Sequence, residues 1–233
     1  MAWTGDPRNQ SPFNALPPVV AAMTVLIAGI EALFQAGAAG VIGGRAGAAW
    51  RLDAIRDWAV FDQVAAWMLE TGRFPLGEAA RILTYPLIHT GFGHAAFVCV
   101  FVLALGNVIA PFYATWRIPA IFWGSAMAGA LAYVAIFDAV GPLTGGFTGA
   151  YGLIGAFTYL SRRGLTRLDP DRAFLLIGFL LAIQPIFGLA SGSGFAWVPN
   201  WIAEAAGAAA GYGLASLLFP GGMARLLGRL RQR

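Results

Sequence analysis

Six stretches of this chain are long and apolar enough to constrain everything else about it. They run from Val19 to about Val41, Phe92–Ala110, Ile118–Phe137, Phe147–Leu160, Ala173–Leu189 and Trp197–Leu218. A helix needs about 20 apolar residues to cross a bilayer. In hydrocarbon its backbone must satisfy its own hydrogen bonds, so helices are the expected form. Only 11% of the 233 residues are charged, too few to keep such surfaces in water. The predicted fold is therefore an all-α bundle of six transmembrane helices, with one membrane domain over residues 17–220. A cytoplasmic segment, 1–16, precedes it, and a basic cytoplasmic tail, 221–233, follows.

Between the first two runs the pattern changes. From about Ala46 to Ile82, Trp50, Leu52, Ile55, Trp58, Val60, Val64, Trp67 and Met68 alternate with Arg51, Asp53, Arg56, Asp57, Asp62 and Glu70. That spacing predicts amphipathic helices at the membrane interface, with tryptophan at headgroup depth. The tail MARLLGRLRQR is expected to lie on an anionic inner leaflet. No short apolar core with a cleavage site opens the chain, so the first run is expected to remain in the mature protein.

All 15 basic residues are arginine, and the net charge is +4. No basic patch interleaved with exposed aromatics accompanies that charge, so nucleic acid is not an expected partner. With the N-terminus inside, ten arginines fall on inner segments and five on the outer side, all five in the long first loop beside five acids. This asymmetry predicts cytoplasmic termini in a bacterial-type inner membrane. Cys99 is the single cysteine, so there is no intramolecular disulfide or cysteine zinc cluster, and an apolar run suits it as a small hydrophobe. No cofactor or metal is implied.

Three segments, RILTYPLIHTGFGHAAFVCVFVLALG, GPLTGGFTGAYGLIGAF and AEAAGAAAG, in that order, resemble the rhomboid family of intramembrane serine proteases. RILTYPLIHTGFGHAAFVCVFVLALG matches the family's second-span signature at Arg81, Thr84, His89, His94 and Gly106, with Val98 where the family has asparagine. AEAAGAAAG matches its sixth-span Ala-His-x-x-Gly-x-x-x-Gly, with Glu204 at the catalytic histidine and Gly207 and Gly211 at the glycines. GPLTGGFTGAYGLIGAF matches the fourth span in two registers. Aligning Gly146-Phe147-Thr148-Gly149 with Gly-x-Ser-Gly puts Thr148 at the serine. Aligning Tyr151-Gly152-Leu153-Ile154-Gly155 without a gap puts Phe147 there. The gapless register is preferred, because a deletion would rotate the rest of the helix by about 100° away from its partners.

The resemblance implies a rhomboid bundle, and the substitutions bear on its chemistry. Hydrolysis needs an activated hydroxyl, an imidazole to shuttle its proton and donors for the oxyanion. Phe147 has no nucleophile and Val98 no donor. A Thr148–Glu204 pair can be drawn, but a carboxylate is a weak base toward a hydroxyl at neutral pH, and the missing amide donor costs about 3 kcal/mol more. Loss of a nucleophile or its histidine alone costs on the order of a million-fold. No catalytic residue is expected to function. Arg81, His89, His94, Tyr151 and Glu204 are expected around a vestigial cavity.

The two histidines can serve either a functional role or simply hydrogen-bond loop backbone. Five residues apart on a helix, they do not make a good metal pair. An ionisable group within a span is a functional candidate, so Glu204 is expected in the cavity near His94 and hydrogen-bonded there, or else reaching outer-leaflet water about a turn from Asn200. Glu31 and Asp138 are expected at the interface. The leading expectation is a non-proteolytic protein that binds lipids and another membrane protein and affects that partner's assembly, stability or trafficking. A divergent protease, and a proton or small-solute conduit through Glu204, are the alternatives.

Overall fold

A computed structural model describes residues 16–136, 141–166 and 195–222, with scattered positions between 175 and 190. The described residues are helical: α1 Pro18–Ala38, α2 Gly44–Gly47, α3 Trp50–Trp58, α4 Asp62–Thr71, α5 Leu76–Thr84, α6 Phe92–Ile109, α7 Arg117–Ile136, α8 Phe147–Arg162 and α9 Val198–Leu218. Pro18 and Pro199 lie in the first turns of α1 and α9, where a missing N–H costs nothing. The long first loop is the chain of amphipathic helices α2 to α5.

Among the described residues, three segments are long and apolar enough to cross a membrane: Pro18–Ala38, Phe92–Phe112 and Arg117–Ala135. α8 is shorter, at 16 residues. It is also the centre of the bundle, with every residue from Thr148 to Ser161 buried. A helix shielded by its neighbours needs no lipid-facing apolar surface, which is why α8 carries threonine, tyrosine and serine. α9 is long enough but diluted by Asn200, Glu204 and its glycines. The apolar run 173–189 lies largely outside the described residues, as do Asp138, most of 1–16 and 223–233.

α8 and α9 meet backbone to backbone. A Cβ on Gly211 would overlap the carbonyl of Gly152, one on Gly155 would overlap that of Ala208, and one on Gly207 would overlap that of Thr148. Small residues in both helices are what permit this approach. The main core joins α1, α6, α7, α8 and α9 through Ile27, Val98, Val102, Phe122, Leu153, Leu160 and Ala208. A smaller one, with Val60, Tyr85, Ala130, Leu143 and Ala203, ties the first loop to α7 and α9.

Glu31 is buried and paired within the fold. It is 4% exposed, and Arg51 of α3 grips both its oxygens at 2.8 and 2.7 Å. Gln35 donates a further bond at 2.8 Å, and Phe34 covers the guanidinium face at 5.2 Å. A buried carboxylate in an apolar helix is expensive unless it is paired, and the first loop supplies the partner.

Candidate functional site

A cavity of about 350 Å³ opens at the N-terminal ends of α8 and α9. Its mouth carries Thr90 and Asn200, both exposed. Thr148 and Glu204 lie deep in it, 2% and 7% exposed. His94, Phe147, Trp197 and the loop Pro142–Gly145 form its walls.

The loop before α8 is built to hold two imidazoles. Leu143 exchanges backbone hydrogen bonds with Val60 at 2.8 and 3.2 Å, anchoring it to the first loop, and the Gly145 N–H donates to the Tyr85 carbonyl at 2.9 Å. Gly145 has φ +80°, and a Cβ there would meet His94 Cε1 at 2.5 Å. Only glycine serves at this point, for conformation and for space.

His89 is a structural imidazole. Its Nε2 accepts the Gly146 N–H at 3.3 Å, so its proton sits on Nδ1, which donates to the Leu87 carbonyl at 3.3 Å. Burial, then the neighbouring His94, pull its pKa down to about 4. Protonating Nε2 would set one N–H against another. The Arg51 guanidinium that holds Glu31 also donates to the His89 carbonyl at 2.7 Å, so one arginine joins α1, the first loop and the floor of the site.

His94 faces the cavity. Its ring stacks on Phe147 with centroids 5.0 Å apart, meets His89 edge-on at 5.1 Å, and its Nδ1 bonds Thr90 Oγ1 at 3.0 Å. Phe147, the first residue of α8, is thus held by an imidazole on one side and by Phe101 edge-on at 6.3 Å.

Thr148 is tied to a residue that sequence reasoning did not single out. Tyr85 Oη donates to the Ala126 carbonyl at 2.7 Å and lies 2.6 Å from Thr148 Oγ1. The phenol has one proton, already given to Ala126, so the threonine hydroxyl is the donor in the second bond. Burial raises the Tyr85 pKa far above its ordinary value, and Glu204 adds to the rise; the phenol stays protonated. The only sequence signal for Tyr85 is an aromatic residue between Thr84 and a proline at the start of the matched segment.

The structure therefore brings His94, Phe147, Thr148 and Glu204 to one cavity, with His89 behind its wall. Val98 is fully buried, and a Cβ on Gly146 would lie 2.8 Å from its Cγ1, so it packs beneath the start of α8. Tyr151 is buried in the core, away from the cavity lining. Arg81, expected at the cavity, lies in the first loop instead. It pairs with Glu78 and donates to the carbonyls of Arg56 and Ala59 at 2.6 and 3.0 Å, capping the end of α3 and bracing the Val60–Leu143 bridge.

The family model for the Rhomboid domain matches residues 76–221. The chain belongs to the rhomboid family. It is an all-helical, multi-pass membrane protein of that family, and the match begins at α5 and runs through α9. A search of curated proteins finds no match.

Proposed function

We propose that this rhomboid-family protein is non-proteolytic and binds another membrane protein through its helices, influencing that partner's assembly, stability or trafficking. One observation carries the reading. At the start of α8, where the family places its serine, Phe147 is packed on His94, and the hydroxyl of Thr148 is engaged with Tyr85. Neither register supplies a hydroxyl paired with an imidazole, and Glu204 stands at the family's histidine position. Incubation with a fluorophosphonate serine probe and with standard rhomboid substrates tests it, and the expected result is neither labelling nor cleavage.

The competing reading is a divergent intramembrane serine protease using Thr148 with Glu204, favoured by the two lining one cavity. Cleavage in the same assay that is lost on Thr148→Ala would establish it. A proton or solute conduit through Glu204 would instead show flux in proteoliposomes.

The proposal includes six spans, adding α8, 173–189 and α9 to the three apolar segments, in a bacterial-type inner membrane with both termini cytoplasmic. The arginine asymmetry supports that orientation. A periplasmic reporter fused after Arg233 should be inactive, and activity would reverse the topology.

A further inference from the structure

We propose that a two-part groove between the first loop and α7 holds one phosphatidylethanolamine molecule, with an acyl chain in its apolar part and the headgroup on Glu78 and Arg81. The groove is separate from the cavity at the head of α8, so the proposal stands whether or not that cavity is catalytic.

The spacing of apolar residues builds the first part. Val64 and Met68 on α4, Ala79 and Ile82 on α5, and Ala130 and Val134 on α7 recur three or four residues apart, so each helix turns an apolar stripe toward the same space. The stripes do not close on one another. They leave a groove of about 290 Å³, with Leu69, Phe74 and Leu131 exposed at its lips. Walls with no atoms opposite them forfeit dispersion contacts, and beside a bilayer the material at hand to fill them is hydrocarbon. One turn of a helix, about 10 Å across and about 5.4 Å long, displaces roughly 400 Å³, more than the groove holds. A single alkyl chain fits.

A second pocket, of about 390 Å³, shares Val64, Glu78 and Arg81 with the groove and adds Gln63 and Trp67. A polar space thus continues from the apolar one. A ligand that fills both is an amphiphile, and a membrane lipid is the amphiphile such a chain meets.

Charge at the junction selects the headgroup. Arg81 Nε donates to Glu78 Oε2 at 2.5 Å, and its Nη1 is taken by the carbonyls of Arg56 and Ala59. Glu78 Oε1 and Arg81 Nη2 make no hydrogen bond among the described residues. The charges lining the two parts are this one carboxylate and this one guanidinium, which sum to zero. A head carrying both signs is therefore matched, and a net anion is not. An ammonium can donate to Glu78 Oε1, while a phosphate accepts from Arg81 and from the Trp67 indole N–H. Choline brings the same charges but no N–H to donate, which makes ethanolamine the better fit.

Occupancy bears on the loop before α8. Val60 lines the groove and exchanges two backbone hydrogen bonds with Leu143. A lipid packed against Val60 braces that bridge.

The test uses the full chain, delipidated in mild detergent, with native mass spectrometry and thermal unfolding as readouts. Dioleoyl phosphatidylethanolamine, phosphatidylcholine and phosphatidylglycerol are added in turn, and glycerophosphoethanolamine serves as the head without chains. Phosphatidylethanolamine should form a saturable one-to-one adduct, at least fivefold more populated than that of either other lipid at equal concentration, and should raise the unfolding temperature. The chainless head should not bind at those concentrations. Glu78→Gln should erase the preference among the lipids, and Ala65→Phe, which fills the groove from α4, should remove the adducts of all three. Equal adducts of the three lipids, a preference for phosphatidylglycerol, equal binding of the chainless head or no saturable adduct overturns the proposal, and these comparisons need no variant to fold. A preference for phosphatidylethanolamine that both variants leave intact also overturns it, because the lipid would then sit elsewhere. So does a co-purifying polypeptide that excludes the lipid from the natural protein.

Discussion

Arg51 and Glu31 form a two-pronged ion pair, 2.8 and 2.7 Å, between the first amphipathic loop and the C-terminal half of α1. The same guanidinium holds the backbone carbonyl of His89. The loop therefore reaches the site through this side chain as well as through the Val60–Leu143 backbone bridge.

That relationship predicts an asymmetric mutational response. Removing one partner of a buried pair leaves the other charge uncompensated, at a cost of about 3–5 kcal/mol. Arg51→Met should lower the unfolding temperature in detergent sharply, and the double variant Arg51→Met/Glu31→Leu should recover most of the loss. Equal destabilisation by the single and double variants would show that the charge pair is not what joins the loop to the span.

The imidazole of His89 predicts a pH dependence of defined sign. Its pKa in the fold is about 4 against an ordinary 6.5. Between those values the unfolded chain binds more protons than the folded one, so stability is fully present above pH 6.5 and falls as pH drops through the window. The contribution is of order 3 kcal/mol. Unfolding of the natural protein from pH 7 to pH 4 should show a steeper loss than that of His89→Gln, and parallel curves would contradict the assigned tautomer.

Close contact of α8 and α9 predicts a difference between two neighbouring glycines. A Cβ on Gly211 would overlap Gly152, whereas Gly213 has open space around it. Gly211→Ala should cost about 1–3 kcal/mol through overpacking. Gly213→Ala should be neutral, or stabilising by up to about 1 kcal/mol from helix propensity alone. Similar effects of the two changes would place the interface elsewhere.

Much of this fold is legible before any coordinates, and the reason is local. Apolar runs and prolines mark α1, α6, α7, α8 and α9 to within a few residues, and alternating tryptophans and charges mark the first loop as amphipathic helices. What is not legible depends on partners distant in sequence. The pairing of Glu31 is not legible because its partner Arg51 is 20 residues away on another helix. Arg81 reads as a cavity residue because it sits in a matched segment, although its side chain turns back to carbonyls 22 and 25 residues earlier. Tyr85 passes unread because an aromatic residue at the head of a span has no periodic signature, and only the packed bundle brings its hydroxyl to Thr148, 63 residues on.

The central claim is that the head of α8 carries no working nucleophile. The most direct measurement is cleavage of a standard rhomboid substrate by the purified protein in liposomes, in parallel with Thr148→Ala and Glu204→Gln. The account predicts no product from any of the three preparations. Product from the natural protein that disappears with Thr148→Ala would contradict it.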